Sequence, residues 1–170
     1  MAERLQANDA GHGRDAARAR DMLRDVRRAG LKLTPQRIAI IELFAADLSH
    51  PTAQDLFERL RPSFPSMSFA TVYNTLDALA RAGLAGIVRL PGRRGDAARF
   101  DPNSTPHHHA VCDGCGAVLD IAAGSLAATP GALRRLRRAA PGFSVHAVER
   151  IYRGLCAGCA PGPSSAPLET

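Results

Sequence analysis

The twenty residues from Asp101 to Asp120 hold three consecutive histidines (His107, His108 and His109), the pair Cys112 and Cys115, and a carboxylate at each end. A second Cys-x-x-Cys pair, Cys156 and Cys159, follows after an interval of 40 residues. Thiolates favour zinc, whereas mixed imidazole and carboxylate sets suit iron, manganese or a further zinc. So many donors of such different softness exceed one coordination shell. They predict two metals per subunit with different duties, one closed and structural, one open to change.

Each Cys-x-x-Cys knuckle can present two sulfurs to one tetrahedral ion, so Cys112, Cys115, Cys156 and Cys159 form a four-thiolate Zn2+ site with no vacant position. Two disulfides would need an oxidising compartment, and the chain opens on no apolar signal segment; a thioredoxin-type redox site needs only one such pair. On a strand, His107 and His109 point to one face and His108 to the other. A solvated polyhistidine tract has the same spacing. Here, however, Asp101, Asp120 and His50, which stands just before a predicted helix, complete a set of three imidazoles and two hard carboxylates. A site made of His50, Asp101, His107, His109 and Asp120 would bridge two parts of the chain, and its occupancy would then set the angle between them.

Those donors need elements to hold them. Residues 1–14 are polar and contain glycine, and 161–170 are rich in Pro and Ser, so both ends read as disordered tails. From Asp15 to Ala29 an Arg-rich helix turns Met22, Leu23 and Val26 inward and stops at Gly30. Thr34-Pro35 opens a second helix with Ile38, Ile41, Phe44 and Ala45 on one face. Thr52-Ala53-Gln54-Asp55 resembles a capping box and opens a short helix burying Leu56, Phe57 and Leu60. Ser66 or Ser68 caps a fourth helix, in which Val72, Leu76, Leu79 and Ala80 recur at three- and four-residue steps until Gly83; Thr71, Asn74, Thr75 and Ala78 form its small, hydrogen-bonding outer face. Strand-like runs at 84–90 and 98–100 flank the basic loop 91–95. This is the order of a winged helix-turn-helix, with the helix from Ser68 entering a major groove, although a helical bundle with a surface hairpin has the same pattern. Beyond Asn103, short strands near 108–112 and 117–121, a helix over 125–139 and a longer strand over 143–152 make a second unit whose two ends the cysteines tie together.

Five segments, in order, resemble the ferric uptake regulator family of bacterial metal- and peroxide-responsive repressors over about residues 15–160. They are Thr-Pro-Gln-Arg at 34–37, His-Pro-Thr-Ala at 50–53, Thr-Val-Tyr-Asn at 71–74, Arg-Phe-Asp at 99–101 and His-His-His-Ala-Val-Cys-Asp-Gly-Cys-Gly at 107–116. The resemblance implies an α+β fold class, with an N-terminal winged-helix DNA-binding domain at 15–101 and a small α/β dimerisation and metal-binding domain at 102–160. It implies a homodimer, not an enzyme, that binds a palindromic double-stranded DNA operator when its regulatory metal is present; the metal-binding thiols, read as reduced, favour a cytoplasmic protein. It places Tyr73 and Asn74 where the recognition helix meets bases, and Lys32, the sole lysine, where a lysine reaches the minor groove. Arg37, Ser68 and Thr71 join that DNA-binding set, and Asn74 stands where many members carry arginine.

Iron-sensing members usually have glutamates at the two carboxylate positions, so Asp101 and Asp120 resemble the peroxide-sensing branch. With all four cysteines in the knuckles, none is left for the regulatory site of a zinc sensor. Pro106 and His108 occupy positions where a third-site ligand pair would stand, so His108 is expected at the surface; His146 is left without a role. In the peroxide-sensing branch, Fe2+ at the five-ligand site holds the DNA-binding form, and peroxide oxidises ligand histidines matched by His50 and His107. Mn2+ would support DNA binding without that chemistry.

Composition sets the remaining bounds. The chain of 170 residues carries 22 Lys and Arg against 16 Asp and Glu, a formal charge of +6, and a pI near 9.9. The excess is spread along the chain, so it favours a polyanionic partner without locating a face. No run approaches the roughly 18 apolar residues of a membrane span, and no membrane partner is expected. Arg134, Arg135, Arg137 and Arg138 read as a solvated helix face or a phosphate-binding patch. Two other functions could use the same residues. One is an iron-responsive uptake repressor sensing Fe2+ reversibly. The other is a zinc hydrolase built on His107, His109 and a carboxylate, which needs a vacant position that five ligands do not leave.

Overall fold

The computed structural model describes residues 2–89, 97–122, 130–145 and 148–160. The expected hairpin tip at 91–95, the start of the helix at 125, His146 and the tail at 161–170 lie outside the described residues. The chain divides into two compact units, Met1–Ser104 and Thr105–Thr170, a boundary three residues beyond the one read from the sequence.

Unit 1 contains α1 (Ala2–Arg28), α2 (Pro35–Ala46), α3 (Ala53–Leu60), α4 (Phe69–Arg81), β1 (Gly86–Val88) and β2 (Arg99–Asp101). Local chemistry sets most of the helix ends. The Thr34 hydroxyl accepts from the Arg37 amide, with Pro35 at the first helical position. Thr52 and Asp55 form the complete capping box, at 2.8 and 3.1 Å. Ser68, rather than Ser66, caps α4. Both α1 and α4 end in a left-handed glycine, Gly30 (φ 73°) and Gly83 (φ 71°). The next residue's amide reaches back in each case, Leu31 to Val26 and Leu84 to Leu79.

One expectation was too short. The first helix runs back to Ala2 rather than beginning at Asp15. Residues 2–14 include Ala, Glu, Arg, Leu and Gln, all good helix formers, and extending a helix already anchored by packing costs little per residue.

α2 packs against α1, α3 and α4, which explains why Ile40, Ile41, Phe44 and Ala45 are all buried instead of one narrow stripe. With Val26, Leu56, Leu76 and Phe100, the residues Ile40, Ile41 and Phe44 form one core, and each large apolar side chain so buried contributes roughly 1.5–3 kcal/mol. Thr75, expected on the outer face of α4, is buried. It lies three residues after Val72 and four before Leu79, and its hydroxyl donates to the Thr71 carbonyl at 2.7 Å, so it can enter the core with its polar atom satisfied. β1 and β2 pair antiparallel in the register Gly86 with Asp101, Ile87 with Phe100 and Val88 with Arg99. Helix, turn, recognition helix and paired strands make unit 1 a winged helix-turn-helix.

Unit 2 is built on a three-stranded sheet in the order β4-β3-β5, from β3 (His107–Cys112), β4 (Val118–Ala122) and β5 (Ile151–Gly154), with α5 at Pro130–Ala139. β4 runs antiparallel to β3 and β5 parallel to it. Of the long strand expected over 143–152, the described residues show strand only from Ile151, in the four-residue β5. Alternation gives that stretch strand character, but the ladder forms only where His109 to Cys112 face Ile151 to Gly154. The arginines 134, 135, 137 and 138 of α5 are all exposed. Among the described residues no helix is long and apolar enough to cross a membrane.

Candidate metal centre

The end of β3 and the turn after β5 bring the four cysteines together, with every sulfur within 4.8 Å of the others. All four are free thiols. Cys115 Sγ and Cys156 Sγ are 3.8 Å apart, which is the edge of a tetrahedron with metal–sulfur distances of about 2.3 Å, the zinc–thiolate value. The backbone is arranged to support sulfur charge. The Cys115 and Cys156 amides donate to Cys112 Sγ at 3.5 and 3.3 Å, and these N–H groups hold the Cys112 thiol down to about 6. Cys159 is pushed up to about 12 by the sulfurs of Cys156, Cys115 and Cys112 around it. Four sulfurs this close cannot all be anionic unless a cation sits among them, and a zinc ion satisfies that demand. Arg153 further ties the first knuckle to β5 by donating twice to Asp113 Oδ1, at 3.0 and 2.6 Å.

The histidine and aspartate candidates fall into two groups, one in each unit. In unit 1, His50 Nε2 lies 3.7 Å from Asp101 Oδ2, and both side chains are about 1% exposed. His50 is the one non-glycine residue with positive φ (58°) among the described residues, and it precedes a proline, which disfavours helical backbone. Such a conformation persists only when its surroundings over-determine it. Here the Arg99 guanidinium donates to the His50 carbonyl at 3.2 Å, the Phe100 amide donates to the Pro51 carbonyl at 2.9 Å, and Asp47 accepts from the Ser49 amide and hydroxyl. β2 thereby clamps the loop that carries His50 and, one residue beyond Phe100, supplies Asp101.

In unit 2, strand alternation does what the spacing implied. His107 Nε2 and His109 Nε2 converge to 2.9 Å, and Asp120, the register partner of His109, lies 3.5 Å from His107 Nε2. Two nitrogens each about 2.1 Å from one ion and at a right angle would be about 3.0 Å apart, so the pair is already spaced as adjacent ligands. His108 departs from expectation: it is only 2% exposed, not a surface residue. β3 is the central strand, and residues on both of its faces are buried, His108 and Cys112 on one and His109 and Val111 on the other. Glu149 was missed, although its carboxylate lies 3.0 Å from His109 Nδ1. The sequence carries no local signal for it: the β3–β5 register pairs His109 with Ile151, two residues after Glu149.

The DNA-binding candidates lie in unit 1. Ser68 Oγ and Thr71 Oγ1 are 2.9 Å apart at the start of α4, and Tyr73 and Asn74 are exposed one turn on. Tyr73 stacks edge-on against Phe100 of the wing, with ring centroids 6.3 Å apart. Arg37 donates to the carbonyl of exposed Lys32 at 2.9 Å, and both line a small hollow with Thr75 and Ala78 of α4. The two basic residues therefore sit beside the helix that carries the other four.

A winged helix-turn-helix followed by a small sheet unit with a four-thiol cluster and a histidine–carboxylate cluster is the plan of a metal-responsive transcription regulator. The chain belongs to the ferric uptake regulator family, which matches residues 28–139. The peroxide operon regulator of Bacillus subtilis (strain 168) is 36% identical over 143 residues, 82% of this chain and 92% of that protein. The peroxide-responsive repressor PerR of Staphylococcus saprophyticus is 35% identical over 141 residues, 82% of this chain and 89% of the relative. Two solved structures share the fold. A zinc uptake regulator complexed with zinc and DNA has a TM-score of 0.62 at 23% identity, covering 85% of this chain and 93% of its own. The Campylobacter jejuni peroxide stress regulator has a TM-score of 0.57 at 23% identity, covering 82% and 97%.

Proposed function

We propose that this protein is a cytoplasmic, metal-dependent transcriptional repressor. It binds a palindromic operator as a homodimer and senses peroxide through Fe2+-catalysed oxidation of its own histidines. The observation that carries the reading is the pairing of each aspartate with an imidazole inside its own unit, Asp101 with His50 and Asp120 with His107. The relatives named as peroxide-responsive repressors support the same reading.

In this account Cys112, Cys115, Cys156 and Cys159 hold a permanent Zn2+, which staples a unit too small to rest on its own core. His50 and Asp101 from one unit, with His107, His109 and Asp120 from the other, hold Fe2+ or Mn2+. Two carboxylates neutralise a divalent charge, and three neutral imidazoles complete a shell of five. Bound Fe2+ would supply the electron that splits peroxide beside the imidazoles.

Oxidation of His50 or His107 removes a ligand from a shell whose members come from separate units, so the single arrangement that metal binding selects is no longer favoured. Lys32, Arg37, Ser68, Thr71, Tyr73 and Asn74 then lose their common register on the DNA. Mn2+ would hold the DNA-binding form without that chemistry.

The test uses zinc-containing protein bound to a fragment of its own promoter carrying an inverted repeat. After a brief peroxide pulse, the Fe2+ form should release DNA and fail to rebind when fresh Fe2+ is added, while the Mn2+ form should stay bound. Full recovery with fresh Fe2+ would instead mark a reversible reporter of iron level.

A further inference from the structure

His109 has partners at both ring nitrogens. Its Nε2 faces His107 Nε2 at 2.9 Å, and its Nδ1 faces Glu149 Oε1 at 3.0 Å. The second ring of the pair differs on its outer side, because His107 Nδ1 faces the Thr105 main-chain carbonyl at 2.7 Å. A carboxylate only accepts, so a neutral His109 carries its proton on Nδ1 and presents its Nε2 lone pair on the side of His107, where a cation would sit. The two rings are unequal: on its outer side His107 leans on a neutral carbonyl dipole, with Asp120 Oδ1 3.5 Å from its Nε2, whereas His109 leans on a charge.

We propose that Glu149 is a positioning residue for the regulatory metal: it fixes His109 in the Nδ1–H tautomer, orients its Nε2 toward the ion, and adds a negative charge behind that ligand. The proposal rests on the sensor reading above for the identity of the site. It does not follow from the ligand set: among the described residues the polar contact of Glu149 is with His109, from the segment just before β5. Carboxylates behind ligating histidines raise ligand basicity, and losing one typically costs about 10- to 100-fold in metal affinity. The Glu149 side chain is 52% exposed, so solvent screening places the expected effect near the lower end, about tenfold.

Full-length, zinc-containing protein labelled with 15N-histidine, free of regulatory metal, provides the first readout. In the unsubstituted protein the His109 imidazole should show the Nδ1–H tautomer. In Glu149→Ala it should shift toward a mixture. Mn2+ titration provides the second: affinity should fall about tenfold in Glu149→Ala and less in Glu149→Gln, which keeps an acceptor but not the charge. Zinc content should be unchanged in both variants, which excludes a folding defect. A His109 tautomer indifferent to Glu149→Ala, or Mn2+ affinity within about twofold of the unsubstituted protein, would overturn the proposal. If the unsubstituted protein binds no Mn2+, the sensor reading fails, and the tautomer measurement alone decides the role of Glu149.

Discussion

The two cysteine knuckles each carry glycine immediately before the second cysteine, Gly114 and Gly158, but only one of them is crowded. A Cβ at Gly114 would lie 2.8 Å from Cys159 Cβ and 2.9 Å from Cys159 Sγ, whereas a Cβ at Gly158 would meet nothing within 4 Å. Carbon contacts settle at about 3.5–4.0 Å, so Gly114→Ala forces Cys159 or the first knuckle to move by roughly 0.7 Å or more. Zinc–ligand distances tolerate only about 0.2 Å. Overpacking of this kind costs about 1–3 kcal/mol, equivalent to roughly a 5- to 150-fold loss of zinc affinity. Neither glycine uses the left-handed region, so chain-entropy effects of the two substitutions are similar and cancel in the comparison. Chelator competition with elemental analysis of zinc content reads the result. Gly114→Ala should lose zinc at chelator concentrations that leave Gly158→Ala intact. Equal zinc retention in the two variants, or a greater loss in Gly158→Ala, would refute the assignment of the four thiols to one tightly packed site.

Three further outcomes are expected. Asp101→Asn removes one of the two neutralising charges beside His50 and should weaken Mn2+ binding by at least about tenfold, with zinc content unchanged, as measured by metal titration. Gly86 faces Asp101 in the wing ladder, and an added Cβ would sit 3.3 Å from Asp101 Cβ. Gly86→Ala should therefore displace the Asp101 carboxylate and lower Mn2+ affinity several-fold, while circular dichroism shows the fold retained. Burial pushes the Asp47 carboxyl up, but the Ser49 hydroxyl and amide and the Arg59 guanidinium outweigh it and hold it below its ordinary 3.8. With the folded value depressed, its contribution to stability is present above the unfolded value and is lost as pH falls through the folded one. Asp47→Asn should thus flatten the acid limb of a urea-midpoint versus pH curve and leave the shape above about pH 5 unchanged.

Much of this was legible because it is local. Thr34, Thr52 and Ser68 mark helix starts through hydrogen bonds made within three residues, and Gly30 and Gly83 mark stops through backbone that other residues resist. The convergence of His107 and His109 follows from strand alternation alone. What was not legible depends on partners distant in the chain. The length of β5 is set by how much of β3 it can pair with, and the burial of His108 by its place on a central strand. The strained backbone of His50 has no signature in the sequence, because Arg99, 49 residues later, helps impose it. Glu149 carries the same lesson: its neighbour His109 is 40 residues away, and only the sheet register brings them together.

The most direct test of the central claim is chemical. Protein loaded anaerobically with Fe2+ or Mn2+ is given a peroxide pulse and digested with trypsin, and the peptides spanning 38–59 and 100–134 are sequenced by tandem mass spectrometry. One added oxygen atom located on His50 or His107 in the Fe2+ form, and absent from the Mn2+ form, is the result this account predicts. Unmodified histidines in an Fe2+-loaded protein that has nonetheless left its operator would contradict it.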